Sequence, residues 1–340
     1  MKIIGGKFGL PEDIGLRYSS PDFLDGNPLL LFNVRSAIMI IAEALNPRKI
    51  WLPSFLCPTI LSAFEKFLSR IEYFKINNEL KLASFNIIDK LRPKDLFLFI
   101  DYFGFPFEPE LISELRNKGV TLIQDCSQAL FFDWKQSKAD FCVYSPRKFV
   151  GVPDGGILHI HYKEDINFPK LQNPPEEILH HLFTAVIMRR QFDIYGGNRV
   201  WNKHFSLGLS QFTPGYFKMS EFSSVLLRYA FNYQQIQQQR RINYQILSSK
   251  LRDIAIFPDL EEDIVPFGFP IKVEKRNQLQ KKLFQNNIYP PIHWNIKNHV
   301  PLRFSDSHQL SHQIMTLPCD QRYNEDDMNQ MADIIKELNE

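Results

Sequence analysis

The sequence predicts an α/β protein in which a large three-layer domain on a mostly parallel sheet is followed by a small α+β domain. Two observations carry that prediction. Between Pro28 and Tyr144 short apolar runs alternate with helix-forming segments, and strands joined by crossover helices make parallel sheets covered on both faces. The chain has 340 residues, close to the size at which one hydrophobic core stops growing, so a second, smaller domain is expected. Residues 1–250 are assigned to the large domain and 251–340 to the small one.

Each element follows from its residues. Pro28–Phe32 is a short apolar run ending at Asn33. Ala37–Leu45 continues with helix formers; Asn33 or Ser36 caps that helix and Pro47 stops it. Ile50–Pro53 and Ile71–Phe74 read as strands on either side of a helical Thr59–Leu68. Leu96–Asp101, Thr121–Asp125 and Phe141–Tyr144 are further strands, the first two bracketing a helical Glu108–Asn117. A long helical tract is expected over Ser220–Leu251, with Tyr233, Ile236 and Tyr244 as core contacts. Beyond an entry segment at Leu260–Ile264, the proline-interrupted Ile264–Val273 reads as an edge strand. A helix through Lys282, a short strand near Ile288–His293 and a closing helix over Asp326–Leu338 complete the small domain.

Composition is 44% hydrophobic and 23% charged, which is globular. Forty basic against 38 acidic residues give a formal charge of +2, so no long-range field draws the chain to nucleic acid or anionic lipid. Arg189 and Arg190, and later Arg240 and Arg241, read as solvated faces. Cys57, Cys126, Cys142 and Cys319 are far apart in sequence, which suits a reduced intracellular protein, and the nine histidines form no recognisable ligand set, so no metal site is expected. Met1–Phe8 lacks an apolar leader, and no later run reaches roughly 18 uncharged apolar residues. A cytoplasmic protein without membrane or nucleic-acid partners is expected.

The residues that can carry chemistry are Asp125, ending an apolar strand, and Lys148, between the Phe141–Tyr144 strand and the turn Asp154–Gly156. Side chains at the carboxyl ends of parallel strands face the ligand crevice. An acid there and a lysine leading into a glycine turn are what a fold needs to hold a pyridinium nitrogen at one end and form an imine at the other. That reads as pyridoxal-phosphate chemistry, with Lys148 as the imine-forming and proton-shuttling amine and Asp125 as the ring-nitrogen partner. The bland alternatives are a surface lysine and an aspartate capping the turn Cys126–Ala129. A phosphate needs backbone donors at a helix start, which Asn33–Ala37 offers with Arg35, Ser36 and Ala37. Gln128 reaches the ring hydroxyl or its underside, or is a turn amide. Ser145 or Tyr144 assists the phosphate. His293, held beside Trp294 by Pro290 and Pro291, is the most site-like histidine, either a substrate contact or a packed loop residue. No G-x-G-x-x-G follows an early strand, which weighs against a nucleotide-binding oxidoreductase.

Together these segments resemble the DegT/DnrJ/EryC1/StrS family of pyridoxal-phosphate enzymes, the sugar aminotransferase branch of fold type I, over most of the chain. Asn33–Ala37 falls on the family's phosphate-holding stretch, Pro53–Leu56 on its Pro-Ser-Phe/Tyr-Thr segment and Gln124–Ala129 on Glu-Asp-Ala-Ala-Gln/His-Ala. Pro146–Gly156 falls on the lysine motif with its glycine turn, and Tyr216–Glu221 on Asn-Tyr-Arg-Met-Ser/Thr-Glu. The resemblance implies fold type I and a homodimer whose active sites are completed by both subunits. Lys148, where the sugar dehydratases of the family carry histidine, implies transamination, with glutamate as donor and a nucleotide-linked keto sugar as acceptor. It also implies that Lys218 lies at the subunit interface near substrate, and His293 near substrate from the small domain. Four departures stand out. Cys57 replaces the aromatic that stacks on the cofactor ring, leaving Phe55 to serve; Val143 replaces a serine; Tyr216 replaces an asparagine that crosses to the neighbour's phosphate; and the loop from Lys148 to Asp154 is one residue short. An aminotransferase for a non-sugar ketone or aldehyde, and a catalytically silent cofactor-binding protein, are the competing readings.

Overall fold

The apolar runs of the first half assemble into a seven-stranded sheet in the computed structural model, which describes residues 3–11, 20–162 and 166–339. After a two-residue strand β1 (Ile4–Gly5), the chain forms β2 (Leu29–Leu31), α1 (Val34–Leu45), β3 (Ile50–Pro53), β4 (Ile71–Phe74) and β5 (Leu96–Ile100). It continues through α2 (Pro109–Asn117), β6 (Thr121–Asp125), β7 (Phe141–Tyr144) and β8 (Gly156–Ile160). The sheet order is β2-β8-β7-β6-β5-β3-β4. Strands β3 to β7 run parallel, whereas β8 is antiparallel to both β7 and β2. Every residue of β5 and β7 is buried, which is why those strands read as unbroken apolar runs rather than alternating ones. Fold type I is thereby built as expected, with β8 as an addition. The expected helix over Thr59–Leu68 is instead a 3-10 segment, Pro58–Arg70, broken at Phe64.

A helical hairpin, α3 (Glu176–Tyr195) and α4 (Val200–Ser210), follows and was not anticipated. Its apolar residues Leu182, Val186, Trp201 and Phe205 form a separate core with Phe32 and Phe212. Arg189 belongs to that core, not to a solvated face. It is buried, bonds Asp193 at 2.8 Å and lies 4.8 Å from the Trp201 ring. The expected tract Ser220–Leu251 divides into α5 (Glu221–Tyr229) and α6 (Tyr233–Leu251). Asn232 makes the break, its side chain accepting the Gln235 N–H at 3.1 Å as an N-cap.

The remainder is β9 (Phe269–Lys272), α7 (Arg276–Gln285), β10 (Ile288–Tyr289), α8 (Ser305–Gln313), β11 (Ile314–Leu317) and α9 (Glu325–Asn339). Strands β9 and β11 pair antiparallel, and β10 pairs in parallel with β1. The cores do not divide at residue 250. Ile4, Tyr244 and Leu247 join the C-terminal core with Phe269, Leu283 and Met328, while Ile296, Val300 and Leu310 pack into the core of the large sheet. Among the described residues no helix is long and apolar enough to cross a membrane.

Arg240 also departs from the solvated reading. It is completely buried and donates to the carbonyls of Pro266 and Phe267, each at 3.1 Å, to that of Phe149 at 3.4 Å, and to Gln321 Oε1 at 2.8 Å. Its guanidinium also stacks 4.6 Å from the Phe149 ring. Burial lowers its pKa to about 10, still charged at neutral pH. One side chain thus ties α6 and the β9 approach to the turn just after Lys148. Replacing it by methionine leaves buried carbonyls unpaired, which costs about 1–3 kcal/mol per group. Arg240→Met is expected to lower the urea unfolding midpoint clearly, with Arg240→Lys recovering only part of the loss.

Candidate active site

Strand β6 ends at Asp125, in register with Ile100 of β5 and Val143 of β7, so its carboxylate emerges at the carboxyl edge of the sheet. One oxygen accepts the Ser127 N–H at 2.9 Å; the other has no protein partner among the described residues. Behind it, Asp101 accepts from Gln124 Nε2 at 2.6 Å and the Phe107 N–H at 3.0 Å. Burial pushes the Asp101 carboxyl up to about 6 despite those bonds.

Lys148 leaves β7 on a single 3-10 turn, closed by Lys148 N–H to Ser145 O at 3.1 Å and Phe149 N–H to Pro146 O at 2.8 Å. Three tethers hold the turn. Asp154 accepts the Ser220 N–H at 2.8 Å, the Ser220 hydroxyl at 2.5 Å and the Ser223 hydroxyl. The Phe149 carbonyl receives Gln321 Nε2 at 2.7 Å as well as Arg240. At the third, the Gly155 N–H donates to Phe32 O at 2.9 Å, and a Cβ at Gly156 would lie 2.4 Å from the Asn33 carbonyl carbon, so only glycine lets β8 lie against the start of α1. Burial holds the Lys148 ammonium below the ordinary lysine range; Asp125 and Cys57 oppose that shift, and Arg147 adds to it. Lys148 and Asp125 therefore share one electrostatic site.

The start of α1 is capped by Asn33, whose side chain accepts the Ser36 N–H at 2.9 Å. Of the expected phosphate residues, Ser36 is fully buried, its hydroxyl accepting the Gly215 N–H at 3.1 Å, and the Ala37 side chain is packed in the core. What remains open are the amides of Val34 and Arg35, two of the unsatisfied donors of a helix start. Arg35 donates to the Phe212 carbonyl and to Ser62 Oγ at 3.5 Å. Beside it, half-buried Arg147 lies 4.9 Å from the Phe212 ring and makes no hydrogen bond or ion pair among the described residues. Burial, then repulsion from Arg35, lowers its pKa to about 10. The buried Ser145 hydroxyl is likewise unpartnered, whereas the Tyr144 hydroxyl is spent on the Phe132 carbonyl at 3.2 Å.

Gln128 is buried, and its Oε1 accepts the Phe103 N–H at 3.0 Å. That bond fixes the orientation of the amide and leaves Nε2 buried with no partner among the described residues, a cost unless a ligand atom accepts from it. Phe55 does not present a face to this space. It is wholly buried between Tyr102 and Trp294, with ring centroids at 6.2 and 5.6 Å; half-buried Trp294 is the more open ring. His293 bonds Thr316 Oγ1 through Nδ1 at 2.9 Å. Burial, with Lys148 and Lys7 nearby, holds its pKa down at about 3, so the imidazole is neutral. Lys218 takes no part in these contacts; it forms a surface pair with Glu221 at 3.6 Å, its side chain 42% exposed.

Two residues of the site escaped the sequence reading. Arg147 had a visible signal, its adjacency to Lys148. Lys7 had none: it sits in no motif and reaches the site from β1, near Arg147, Lys148 and Cys57.

Residues 92–336 match the DegT/DnrJ/EryC1/StrS aminotransferase family. No curated protein matches the chain in sequence. Among solved structures, Helicobacter pylori PseC, an aminotransferase involved in the biosynthesis of pseudoaminic acid, superposes with a TM-score of 0.68 at 14% identity, covering 99% of both chains. The PLP form of Streptococcus pneumoniae Spr1654 gives 0.66 at 13% identity over 92% of this chain and 86% of that one. Sugar aminotransferase CalS13 from Micromonospora echinospora gives 0.63 at 13% identity over 91% and 87%. With the family match spanning most of its length and the type I fold around Lys148, the chain belongs to the DegT/DnrJ/EryC1/StrS family and is a pyridoxal-phosphate-dependent aminotransferase.

Proposed function

We propose that this aminotransferase moves an amino group from glutamate to the keto carbon of a nucleotide-linked sugar, with Lys148 as its catalytic amine. The observation that carries the reading is the set of unmet partners around Lys148: the second oxygen of Asp125, the orphaned Gln128 amide, the Ser145 hydroxyl and the unpaired Arg147 guanidinium. These donors and acceptors suit pyridoxal phosphate. Asp125 would accept from the ring nitrogen, and Gln128 Nε2 would donate to a ring oxygen. Arg35, Arg147, Ser145 and the first amides of α1 would hold the phosphate. When bound, the cofactor supplies an electron sink for the bond broken at the substrate carbon.

The protein's own part is to hold and move protons. Burial lowers the proton affinity of the Lys148 amine, which brings it nearer the range where a general base works at neutral pH. Lys148 Nζ takes the proton from the substrate carbon and returns it on the other side of the transfer. The neutral His293, its Nδ1 tied to Thr316, offers Nε2 to a polar group of the substrate. A sugar acceptor is supported by the similarity to CalS13 and PseC. A homodimer is supported by the apolar side chains left exposed beside the hairpin, Ile187 on α3 and Phe222 and Val225 on α5, with Phe183 against Phe222 at 5.0 Å.

The test is optical. Protein loaded with pyridoxal phosphate is expected to show a band near roughly 410 to 430 nm that glutamate shifts to shorter wavelength, and Lys148→Ala is expected to lack it. Absence of the band in the wild type would sink the proposal, and a band indifferent to every amino donor would leave a cofactor-bearing protein without transaminase action. Asp125→Ala is expected to keep the band but to slow the glutamate-driven change by about 10²-fold, the scale of losing one preorganised electrostatic partner.

Gln128→Glu preserves the acceptor for the Phe103 N–H and removes the orphaned donor. It is expected to weaken cofactor retention about tenfold, the scale of one charge-assisted or buried hydrogen bond, measured by equilibrium titration of the same band.

A further inference from the structure

Four cations converge on the cleft: Lys7, Arg35, Arg147 and Lys148. With pyridoxal phosphate bound as proposed, Arg35 and Arg147 would hold the phosphate and Lys148 would be the amine facing the aldehyde. Lys7 is left over. It makes no hydrogen bond and no ion pair among the described residues, and the groups acting on it are Arg147, Lys148 and Cys57.

Its position is fixed by contacts that do not use its side chain. Strand β1 pairs with β10, and the Gly5 N–H donates to the Tyr323 hydroxyl at 2.7 Å. Arg322 donates to the carbonyls of Gly6 at 3.2 Å and Lys7 at 3.1 Å and stacks 4.3 Å from the Phe8 ring. Further on, the Leu10 N–H reaches Val186 O at 3.3 Å. Between these anchors the backbone presses on the lysine turn, so closely that a Cβ at Gly151 would lie 1.6 Å from Gly9 O. The Lys7 side chain itself stays exposed, yet protein and like charge surround it closely enough to lower its pKa to about 8. An unpaired cation set among other cations is stabilised by any anion that binds beside it.

We infer that Lys7 is a substrate-binding residue of this site, its ammonium taking a carboxylate or phosphate oxygen of the substrate beside Lys148 and His293; the inference rests on the aminotransferase reading proposed above. The carboxylate would come from the amino donor and the phosphate from a nucleotide-linked acceptor.

The experiment uses the pyridoxal-phosphate-loaded wild type, Lys7→Gln and Lys7→Arg. Each is titrated with L-glutamate, read by the cofactor band, and with uridine diphosphate, read by calorimetry. Lys7→Gln is expected to weaken one of the two by about ten- to hundredfold, the range for a hydrogen bond to a charged group, with band position and cofactor affinity unchanged; Lys7→Arg keeps near wild-type affinity. Loss confined to glutamate identifies the carboxylate, and loss confined to the diphosphate identifies the phosphate.

The pH profile separates an anion contact from a structural role. Lys7 binds an anion only while protonated, so wild-type affinity falls as pH rises through about 8, whereas the arginine variant holds its affinity there. The neighbours facing Lys7 are Arg147 and Lys148 from the turn, His293 before β11, Cys57 after β3 and Arg322 before α9, and all are retained in both variants. Unchanged binding of both ligands by Lys7→Gln, binding of neither by the wild type, or loss of cofactor from Lys7→Gln would each overturn the inference. A wild type without the band overturns the cofactor reading and this inference with it.

Discussion

The site depends on how closely the lysine turn can approach other backbone. At Gly151 it meets the N-terminal segment, and at Gly156 it meets the first residues of α1, with room for no side chain at either place. Those two contacts bring three parts of the chain together at Lys148: the end of β7, the open amides of α1 and the segment carrying Lys7. Polar tethers then remove the remaining freedom. Asp154 is bound by Ser220 and Ser223 at the start of α5, and the Phe149 carbonyl is bound by Arg240 and Gln321. A turn held from both sides keeps its lysine in one place without spending the lysine's own side chain on packing, which is the preorganisation that a catalytic amine requires.

The electrostatics follow from the same enclosure. Bringing Arg35, Arg147, Lys148 and Lys7 into one cleft with few acids lowers the proton affinity of each, because burial, joined by repulsion between cations at Lys7, Arg147 and Lys148, disfavours the charged form. For Lys148 that is useful, since a free amine is the reactive species. For the arginines it is a cost of folding that a bound dianion would offset, since binding to the folded state alone adds stability by mass action. Burial, with Lys148 and Lys7 nearby, also keeps His293 neutral, so it would meet a ligand as a hydrogen-bonding group and not as a charge.

Much of this was legible because it is local. Strand ends follow from apolar runs, and the carboxyl edge of a parallel sheet is where ligand contacts lie, so Asp125, Lys148 and Gln128 could be placed from sequence. Strand β8 was missed because it begins inside the glycine turn and carries His159, and α3 because its arginines and histidines are interleaved with apolar residues and buried among them. Arg240 and Arg189 looked solvated for the same reason: charge in a sequence says nothing of a buried carbonyl or carboxylate waiting more than twenty residues away, or one turn on in the same helix. Phe55, Ser36 and Ala37 lie in the right segments, but their side chains face the core. Lys7 was out of reach entirely, since contacts to distant parts of the chain, Tyr323, Arg322 and Gly151 among them, hold its segment against the lysine turn.

The departures from the family pattern fit together once Arg147 is counted. The resemblance implies an asparagine at position 216 that crosses to a neighbouring subunit's phosphate, and this chain has Tyr216, whose hydroxyl instead donates to Glu43 on α1. A phosphate site that loses a neutral amide donor from outside needs a replacement from within, and a guanidinium is a stronger one, since charge-assisted bonds to phosphate are roughly twice as strong as neutral ones. Arg147 would suit that replacement: it lies within the field of Arg35 and against the Phe212 ring, without a partner among the described residues and one residue from Lys148. Held this way, the phosphate would draw more of its charge compensation from a single chain. A subunit interface freed from holding the cofactor could then vary while the chemistry at Lys148 stayed the same.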